Sequence, residues 1–393
     1  MNGRSPSPFA LFGTSAGCVL LLLLTAVAFC IPAGAEEPRN DVADAERAAP
    51  SEEEIERWVK ELGDERFAVR TEAEQKLTNA AVAAVPAVLR VKGSEDREVR
   101  VRADRILLSI ELDAAERIRA AGGDVNPDPD RFIDHHGGAS LERVKNPKEA
   151  LRWLPALTRL KHLHITGVDV TPDDLAPLAS LQSVTFFYIK EVPLTDAGLV
   201  HISKMNGLTD LLLQDCDIKG TGLACLADLP RLRYLHVSHS ALDPGSTVHL
   251  LNYPSLEQLI LWETPINDES LTAISQIERL SLLILTGTGI TDAGVPKFID
   301  LKHLEQLRLD DTRITNESLP HLIRLESLRN LSLTRTRVTS DGLLQFKSVK
   351  SPMRLFVPGH YEPRVYDLLR QEMPHHSILQ DTSEEGLVPP VFD

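Results

Sequence analysis

Basic side chains are in short supply: Lys and Arg number 42 against 57 Asp and Glu, for a formal net charge of -15. A surface so poor in cations argues against nucleic acid, whose binding depends on neutralising phosphates, and against adhesion to anionic lipid. Cysteine is also scarce. Of four, Cys18 and Cys30 fall within the first 35 residues, leaving Cys216 and Cys225. That pair has neither the spacing of a redox motif nor that of a zinc site. Both are expected as reduced core thiols, with a local disulfide as the alternative. There is no glycine-rich phosphate loop and no nucleophile elbow. What remains is a chain of 393 residues with 42% hydrophobic content, enough to bury a sizeable core.

Residues 1–35 contain one basic residue, Arg4, no acidic residue, and an apolar run from Cys18 to Ile31 followed by Ala33-Gly34-Ala35. This is the layout of an export signal cleaved before Glu36. An uncleaved anchor is the alternative, because the apolar stretch from Phe9 lengthens the run. A lipoprotein site fits less well, since Phe29 precedes Cys30 where a small residue is wanted. The bulk of the chain is therefore expected in the periplasm, the cell envelope or the medium. Residues 36–50, rich in Ala, Glu, Asp and Pro, read as a flexible linker.

Residues 51–121 carry helical periodicity. Ser51 followed by Glu52, Glu53 and Glu54 suits an N-cap and an acidic first turn. Apolar stripes recur at Ile55, Trp58, Val59 and Leu62; at Val69, Ala73 and Leu77; at Val82, Val85 and Leu89; and at Val99, Ala103, Ile106, Leu107 and Ile110. Four short amphipathic helices must stack on one another or on a neighbour to bury these stripes. Leu62-Gly63-Asp64, Phe67, Val69-Arg70, Ala73 and Pro86, then Val99-Arg100 and Arg102-Ala103, resemble one or two degenerate HEAT-type repeats. The section is expected as a cap on the C-terminal part of the chain or as a separate binding surface. Residues 122–159 read as a connection and N-terminal flank.

From residue 160 to 357 the sequence repeats itself. The pattern Leu-x-x-Leu-x-Leu runs through Leu208/Leu211/Leu213, Leu232/Leu235/Val237, Leu256/Leu259/Leu261, Leu280/Leu283/Leu285, Leu304/Leu307/Leu309 and Leu328/Leu331/Leu333, in steps of 24 residues. Leu160/Leu163/Ile165 and Leu181/Val184/Phe186 carry it with steps of 21 and 27, and Leu355 and Val357 mark a ninth, terminal strand. The alternation predicts a strand with one buried face. Pairs such as Leu199 and Ile202, Leu271 and Ile274, or Leu319 and Leu322 predict a short helix after each strand. Such units bury their apolar sides only by stacking.

Cys216, Ser240, Thr264, Thr288, Thr312 and Thr336 fall one per repeat, where small polar groups are expected to bond the backbone of the neighbouring repeat. The ladder thus reads as structural and not as a set of nucleophiles. Thr195-Asp196-Ala197-Gly198 and Ile290-Thr291-Asp292-Ala293-Gly294 read as turns that cap the helices. Together these features resemble the leucine-rich repeat family, in a form similar to bacterial repeats of the cysteine-containing subclass. The combination with an export signal and a HEAT-like section resembles planctomycete proteins. The resemblance implies an α/β solenoid with parallel strands on a concave face and short helices on a convex face. It also implies binding, usually of protein, with no fixed chemistry. Asp243-Pro244-Gly245 departs from the Thr-Asp signal, so a short or irregular helix is expected there.

The expected concave face carries an apolar and aromatic group, Tyr188, Tyr234, His236, Ile260, Trp262 and Ile284, which reads as a solvent-facing site for a protein partner. The same group would equally suit cover by the chain's own ends, or a homo-oligomer. Arg308, Asp310, Asp311 and Arg335 read as a solvated rim. His236, His239 and Glu263 lie close enough to suggest a metal, but an open strand surface lacks the enclosure that fixes ligands. The pairs His135-His136 and His375-His376 read as loop residues whose side chains point apart. Asn316-Glu317-Ser318 and Asn330-Leu331-Ser332 match glycosylation acceptors, although the bacterial resemblance argues against their occupancy. Residues 358–393 read as a tail covering the last strand edge, with a short helix around Val365 to Met373. No catalytic set, cofactor or metal is expected. Two functions fit: an extracytoplasmic binding or scaffold protein, and a self-associating component of the cell envelope.

Overall fold

The computed structural model describes residues 49–126 and 138–380. The expected signal, the linker as far as Ala48, and His135-His136 lie outside the described residues. From Ala49 onward the described chain belongs to one compact unit.

Four helices come first: α1 (Glu52–Glu61), α2 (Phe67–Asn79), α3 (Val85–Val91) and α4 (Arg97–Ala120). Ser51 closes a capping box, its hydroxyl accepting from the Glu54 N–H while the Glu54 carboxylate accepts from the Ser51 N–H at 2.9 Å. The same device closes the α1–α2 and α3–α4 turns. Arg70 donates to the carbonyls of Asp64 (2.8 Å) and Glu65 (3.0 Å), and Arg100 to those of Ser94 (2.6 Å) and Glu95 (2.9 Å). Each arginine therefore satisfies turn carbonyls that lie outside the helical hydrogen-bond ladder. Arg102, 4% exposed, is neutralised by Glu74 and Glu98.

The last helix joins this group to the sheet. Its Ala114, Ala115 and Ile118 are buried, and it packs on α5 (Pro147–Trp153), where the Arg117 guanidinium lies 4.5 Å from the Trp153 ring centroid. Glu111, 6% exposed, meets Arg159 at 3.3 Å.

Among the described residues, twelve strands form one sheet in chain order: β1 (Asp124–Val125), β2 (Ala139–Glu142), β3 (His162–Thr166), β4 (Phe186–Lys190), β5 (Asp210–Gln214), β6 (Tyr234–Ser238), β7 (Gln258–Ile260), β8 (Leu282–Ile284), β9 (Gln306–Arg308), β10 (Asn330–Ser332), β11 (Arg354–Val357) and β12 (Ser377–Gln380). All neighbours pair in parallel except β1 and β2. The core between the sheet and its helices is a stack of Leu, Ile, Val and Phe, one layer per repeat. On the helix side lie four-residue α-turns, such as Leu199–Ile202 and Leu271–Ile274, and 3-10 stretches such as Pro172–Ser180 and Val295–Asp300. The chain is thus an α/β solenoid of parallel strands flanked by short helices.

The register is more regular than the sequence pattern suggests. Leu163 pairs with Phe187 and Phe187 with Leu211, so both steps are 24 residues and not 21 and 27. The motif of the second repeat is Val184/Phe187/Ile189, all buried; Leu181 and Phe186 imitate it three residues early because Phe186 and Phe187 are both apolar. The repeat also extends past both expected ends. β2 supplies Ala139 and Leu141 to the core, and β11 is not terminal, since the helix Pro363–Glu372 comes after it and β12 pairs with its outer edge.

Two ladders hold the repeats together. At each strand exit the chain turns through a left-handed residue: Arg143, Gly167, Glu191, Asp215, His239, Glu263, Gly287, Asp311 and Arg335, with φ between 46° and 69°. Each of these residues up to Asp311 points its N–H at a carbonyl of the next repeat, as in Glu191 to Gln214 (3.1 Å) and Asp311 to Thr334 (3.1 Å). The added hydrogen bond offsets the roughly 1–2 kcal/mol that left-handed backbone costs an L residue. On the helix side, Asp292 accepts from the Thr315 N–H (2.8 Å) and hydroxyl (2.8 Å) and from the Ser318 hydroxyl. Asp268 does the same for Thr291, at 2.8 and 2.5 Å, and Asp196 for Gly220 and Thr221.

Of the ladder expected to tie the repeats, Cys216 does reach its neighbour, its Sγ lying 3.9 Å from the Ile189 carbonyl oxygen, but at the threonine positions these aspartates make the contacts between repeats. Thr264, Thr288, Thr312 and Thr336 instead donate to the carbonyl three residues back in their own repeat, at 2.5–2.9 Å. Where Asp243 breaks the Thr-Asp pattern, its carboxylate caps the Gly245 N–H (2.9 Å). The turn after it is irregular but not short, a 3-10 stretch over Pro244–Asn252.

Candidate binding face

Along each strand one set of side chains enters the core and the alternate set stands on the open face of the sheet. Parallel register aligns the open-face residues in rows: Tyr188, Leu212, His236, Ile260, Ile284, Arg308, Ser332 and Phe356 form the central one. Neighbouring strands lie about 4.8 Å apart, so bulky residues in one row press shoulder to shoulder.

Ile260, Leu282 and Ile284 form a hydrophobic cluster separate from the main core, with Tyr234 and Trp262 packed against it. Five side chains, four on β6, β7 and β8 and Trp262 in the turn just after β7, are therefore brought together, Leu282 among them. Tyr188 stands apart: its hydroxyl bonds the Gln214 side chain at 2.8 Å and its ring lies 5.7 Å from His164, in an aromatic group with Phe186. Burial pushes its phenol up to about 12, with Asp215 and Glu191 adding to the shift.

The expected solvent-facing character fails in the middle of the group. Ile260 is 1% exposed, Ile284 6% and His236 4%, while Tyr188, Tyr234 and Trp262 are half-buried. His236 sits in register between Leu212 and Ile260. Both of its ring nitrogens are buried without a hydrogen-bond partner, as is the Ser238 hydroxyl two residues on. Burial holds the imidazole down to about 4, with His239 adding to the shift, so the ring is neutral at physiological pH. His239 itself turns aside to Glu263, with Nδ1 and Oε2 3.1 Å apart, and lies 5.1 Å from the Trp262 ring. The three groups weighed as a metal set do not converge: among the described residues no group of three or more His, Cys, Asp or Glu is placed to hold a metal ion.

Asp310 is not part of a solvated rim. It is 4% exposed, and its Oδ1 accepts from the Ser332 hydroxyl (2.5 Å), the Thr334 N–H (2.8 Å) and the Thr334 hydroxyl (2.7 Å). Sequence reading misses this because the donors lie one repeat away; Ser332 and Thr334 standing a repeat after Arg308 and Asp310 are the available signal. Asp311 and Arg335 do lie nearer the surface and pair at 2.5 Å. His375 and His376 do not point apart: their rings lie 4.0 Å apart centroid to centroid, tilted by 46°, and His376 Nδ1 accepts from the Met353 N–H (3.2 Å), seating β12. Cys216 and Cys225 are free thiols, and burial pushes Cys216 up to about 12.

This arrangement, a sheet of parallel strands with one short helical segment per 24-residue step, defines a leucine-rich-repeat-like solenoid. No family model and no curated protein matches the chain. Similar solved structures include an internalin, InlF, of Listeria monocytogenes, 16% identical over 60% of this chain and 64% of that one, with a TM-score of 0.39. Internalin C2 of the same organism is 19% identical over 49% of this chain and 67% of its own, with a TM-score of 0.31. A TDR receptor is 15% identical over 58% of this chain and 40% of its own, with a TM-score of 0.40. The chain spans a little under two thirds of the InlF structure and less than half of the receptor structure.

Proposed function

We propose that the protein is a non-catalytic, extracytoplasmic binding scaffold that engages another protein through the open face of its sheet. The observation that carries this reading is the second hydrophobic cluster on β6, β7 and β8, set apart from the core and bordered by unpartnered polar atoms of His236 and Ser238. A buried polar atom without a partner costs on the order of 1–3 kcal/mol. Folding alone gains nothing from keeping such atoms beside the cluster, so their retention there supports a use of this face other than stability. The absence of catalysis is supported by how the candidate nucleophiles are used: the ladder threonines donate to backbone carbonyls, and Cys216 is held as the thiol.

The test is solution mass and partner capture with wild-type protein and with Trp262→Ala plus Tyr234→Ala. A monomer that captures a protein lost by the double variant supports the reading. A dimer that the double variant breaks makes the face a self-association surface in the cell envelope. Unchanged mass and capture would remove the face from the function altogether.

A further inference from the structure

The open face changes character beyond β8. In register with Ile284 stands Arg308, and in register with Leu282 stands Gln306. Gln306, Arg308, Asn330, Ser332, Arg354 and Phe356 line a cavity of about 280 Å³ on β9, β10 and β11. Among the described residues no carboxylate pairs with Arg308 or Arg354, although acidic residues outnumber basic ones in this chain by 57 to 42. Some arginines of the solenoid are paired, Arg233 with Glu257, Arg335 with Asp311 and Arg159 with Glu111, while others on its loops, such as Arg279 and Arg324, have no carboxylate beside them among the described residues; what sets Arg308 and Arg354 apart is that both line one cavity. Asp310, two residues from Arg308 on the same face, already accepts three hydrogen bonds from Ser332 and Thr334. The cavity therefore presents two guanidiniums and the amides of Gln306 and Asn330 with a carboxylate missing.

We infer that this cavity receives a carboxylate side chain of an extended peptide whose apolar neighbour lies on the Ile260, Trp262 and Ile284 cluster. The inference rests on the proposed use of the open face and names the chemistry of the partner. Guanidinium forks match a carboxylate bidentately, and the fixed shape of the fork suits recognition better than a lysine would. The spacing is set by the sheet. From β8 to β10 is two strand steps, about 10 Å, and an extended chain rises about 3.3 Å per residue. The acid and the apolar anchor therefore stand about three residues apart.

The experiment selects binders from a phage-displayed library of random linear peptides on the full-length protein. It is run in parallel on Arg308→Gln plus Arg354→Gln and on Trp262→Ala, with circular dichroism confirming that each variant is folded. Wild type is expected to enrich peptides with an Asp or Glu about three residues from a large apolar residue. A synthetic representative then binds the double arginine variant at least about tenfold more weakly, the loss of one or more charge-assisted hydrogen bonds. Replacing its acid by the amide weakens wild-type binding equally and has no further effect on the arginine variant. Enriched peptides without an acidic bias, lost on Trp262→Ala but kept by the arginine variant, would overturn the carboxylate site and leave the face as a binding surface. No enrichment on wild type would overturn the peptide site, while partner capture with Trp262→Ala plus Tyr234→Ala separately decides whether the open face binds at all.

Discussion

Replacing His236 with leucine isolates one titration. The imidazole is 4% exposed, neither nitrogen has a partner, and its pKa is held at about 4 by burial, against about 6.5 for an unfolded histidine. A base whose folded pKa is depressed resists protonation only while folded. Above pH 6.5 the ring is neutral in both states and contributes nothing to the pH dependence. As pH falls through 6.5 the unfolded chain takes up the proton first, so stability declines until the folded ring also protonates near pH 4. The full shift is worth on the order of 3 kcal/mol at about 1.4 kcal/mol per unit, of which about 2 is already lost at pH 5. The assay is equilibrium urea unfolding of wild type and His236→Leu at pH 8 and pH 5. Other histidines, His376 among them, titrate in both proteins, so the difference between the two isolates position 236. Wild type is expected to lose about 2 kcal/mol more than the variant between the two pH values. At pH 8 the variant is expected to match or exceed wild type, because leucine removes two unsatisfied buried nitrogens. Parallel losses, or a variant several kcal/mol less stable at pH 8, would refute the claim that the ring is neutral and unpartnered.

Other residues give independent tests. Asp292→Ala removes the acceptor of three hydrogen bonds between repeats and should cost about 2–3 kcal/mol in urea unfolding, whereas Thr312→Val, losing one bond within a repeat, should cost about 1. If the two cost the same, the carboxylates are not the inter-repeat tie. Gly287→Ala adopts a left-handed turn that its non-glycine equivalents already tolerate, and its added Cβ crowds the Glu263 Cγ at 2.8 Å while clearing the Glu263 backbone at 3.6 Å or more, so a loss of about 1–2 kcal/mol is expected. Gly138→Ala instead drives a Cβ to 1.9 Å from the His162 carbonyl oxygen and should cost several times more, measured by thermal melting. Native thiol labelling should modify Cys225 well before Cys216, whose pKa is pushed up to about 12; equal rates would contradict the burial assigned to Cys216.

The solenoid is legible because Leu-x-x-Leu-x-Leu recurs with constant spacing, and the buried strand face can be read from alternation alone. Its phase slips only where Phe186 and Phe187 stand together, since either could be the inward residue and only pairing with Leu163 and Leu211 decides. The ends are obscured for a related reason: where other repeats carry leucine, β2 offers Ala139 in register with Leu163, and β12 offers Ile378 and Gln380 in register with Leu355 and Val357. The left-handed ladder is invisible because seven of its nine positions are not glycine. On the open face, residue types and rows can be read from the sequence, but not burial. Ile260 and Asp310 are buried through neighbours 24 residues away, and a strand pattern read one repeat at a time treats that row as exposed.

The claim that the open face of β6, β7 and β8 meets a partner is tested most directly by site-specific photo-crosslinking in the producing cells. A benzophenone amino acid is placed at Gln258, half-buried between Tyr234 and Leu282 on that face, or at Gln276, exposed on the helix side. A discrete adduct with a different protein is expected from position 258 and none from position 276. Adducts from position 276 alone, or none from position 258 beyond a dimer of the chain itself, would contradict the claim.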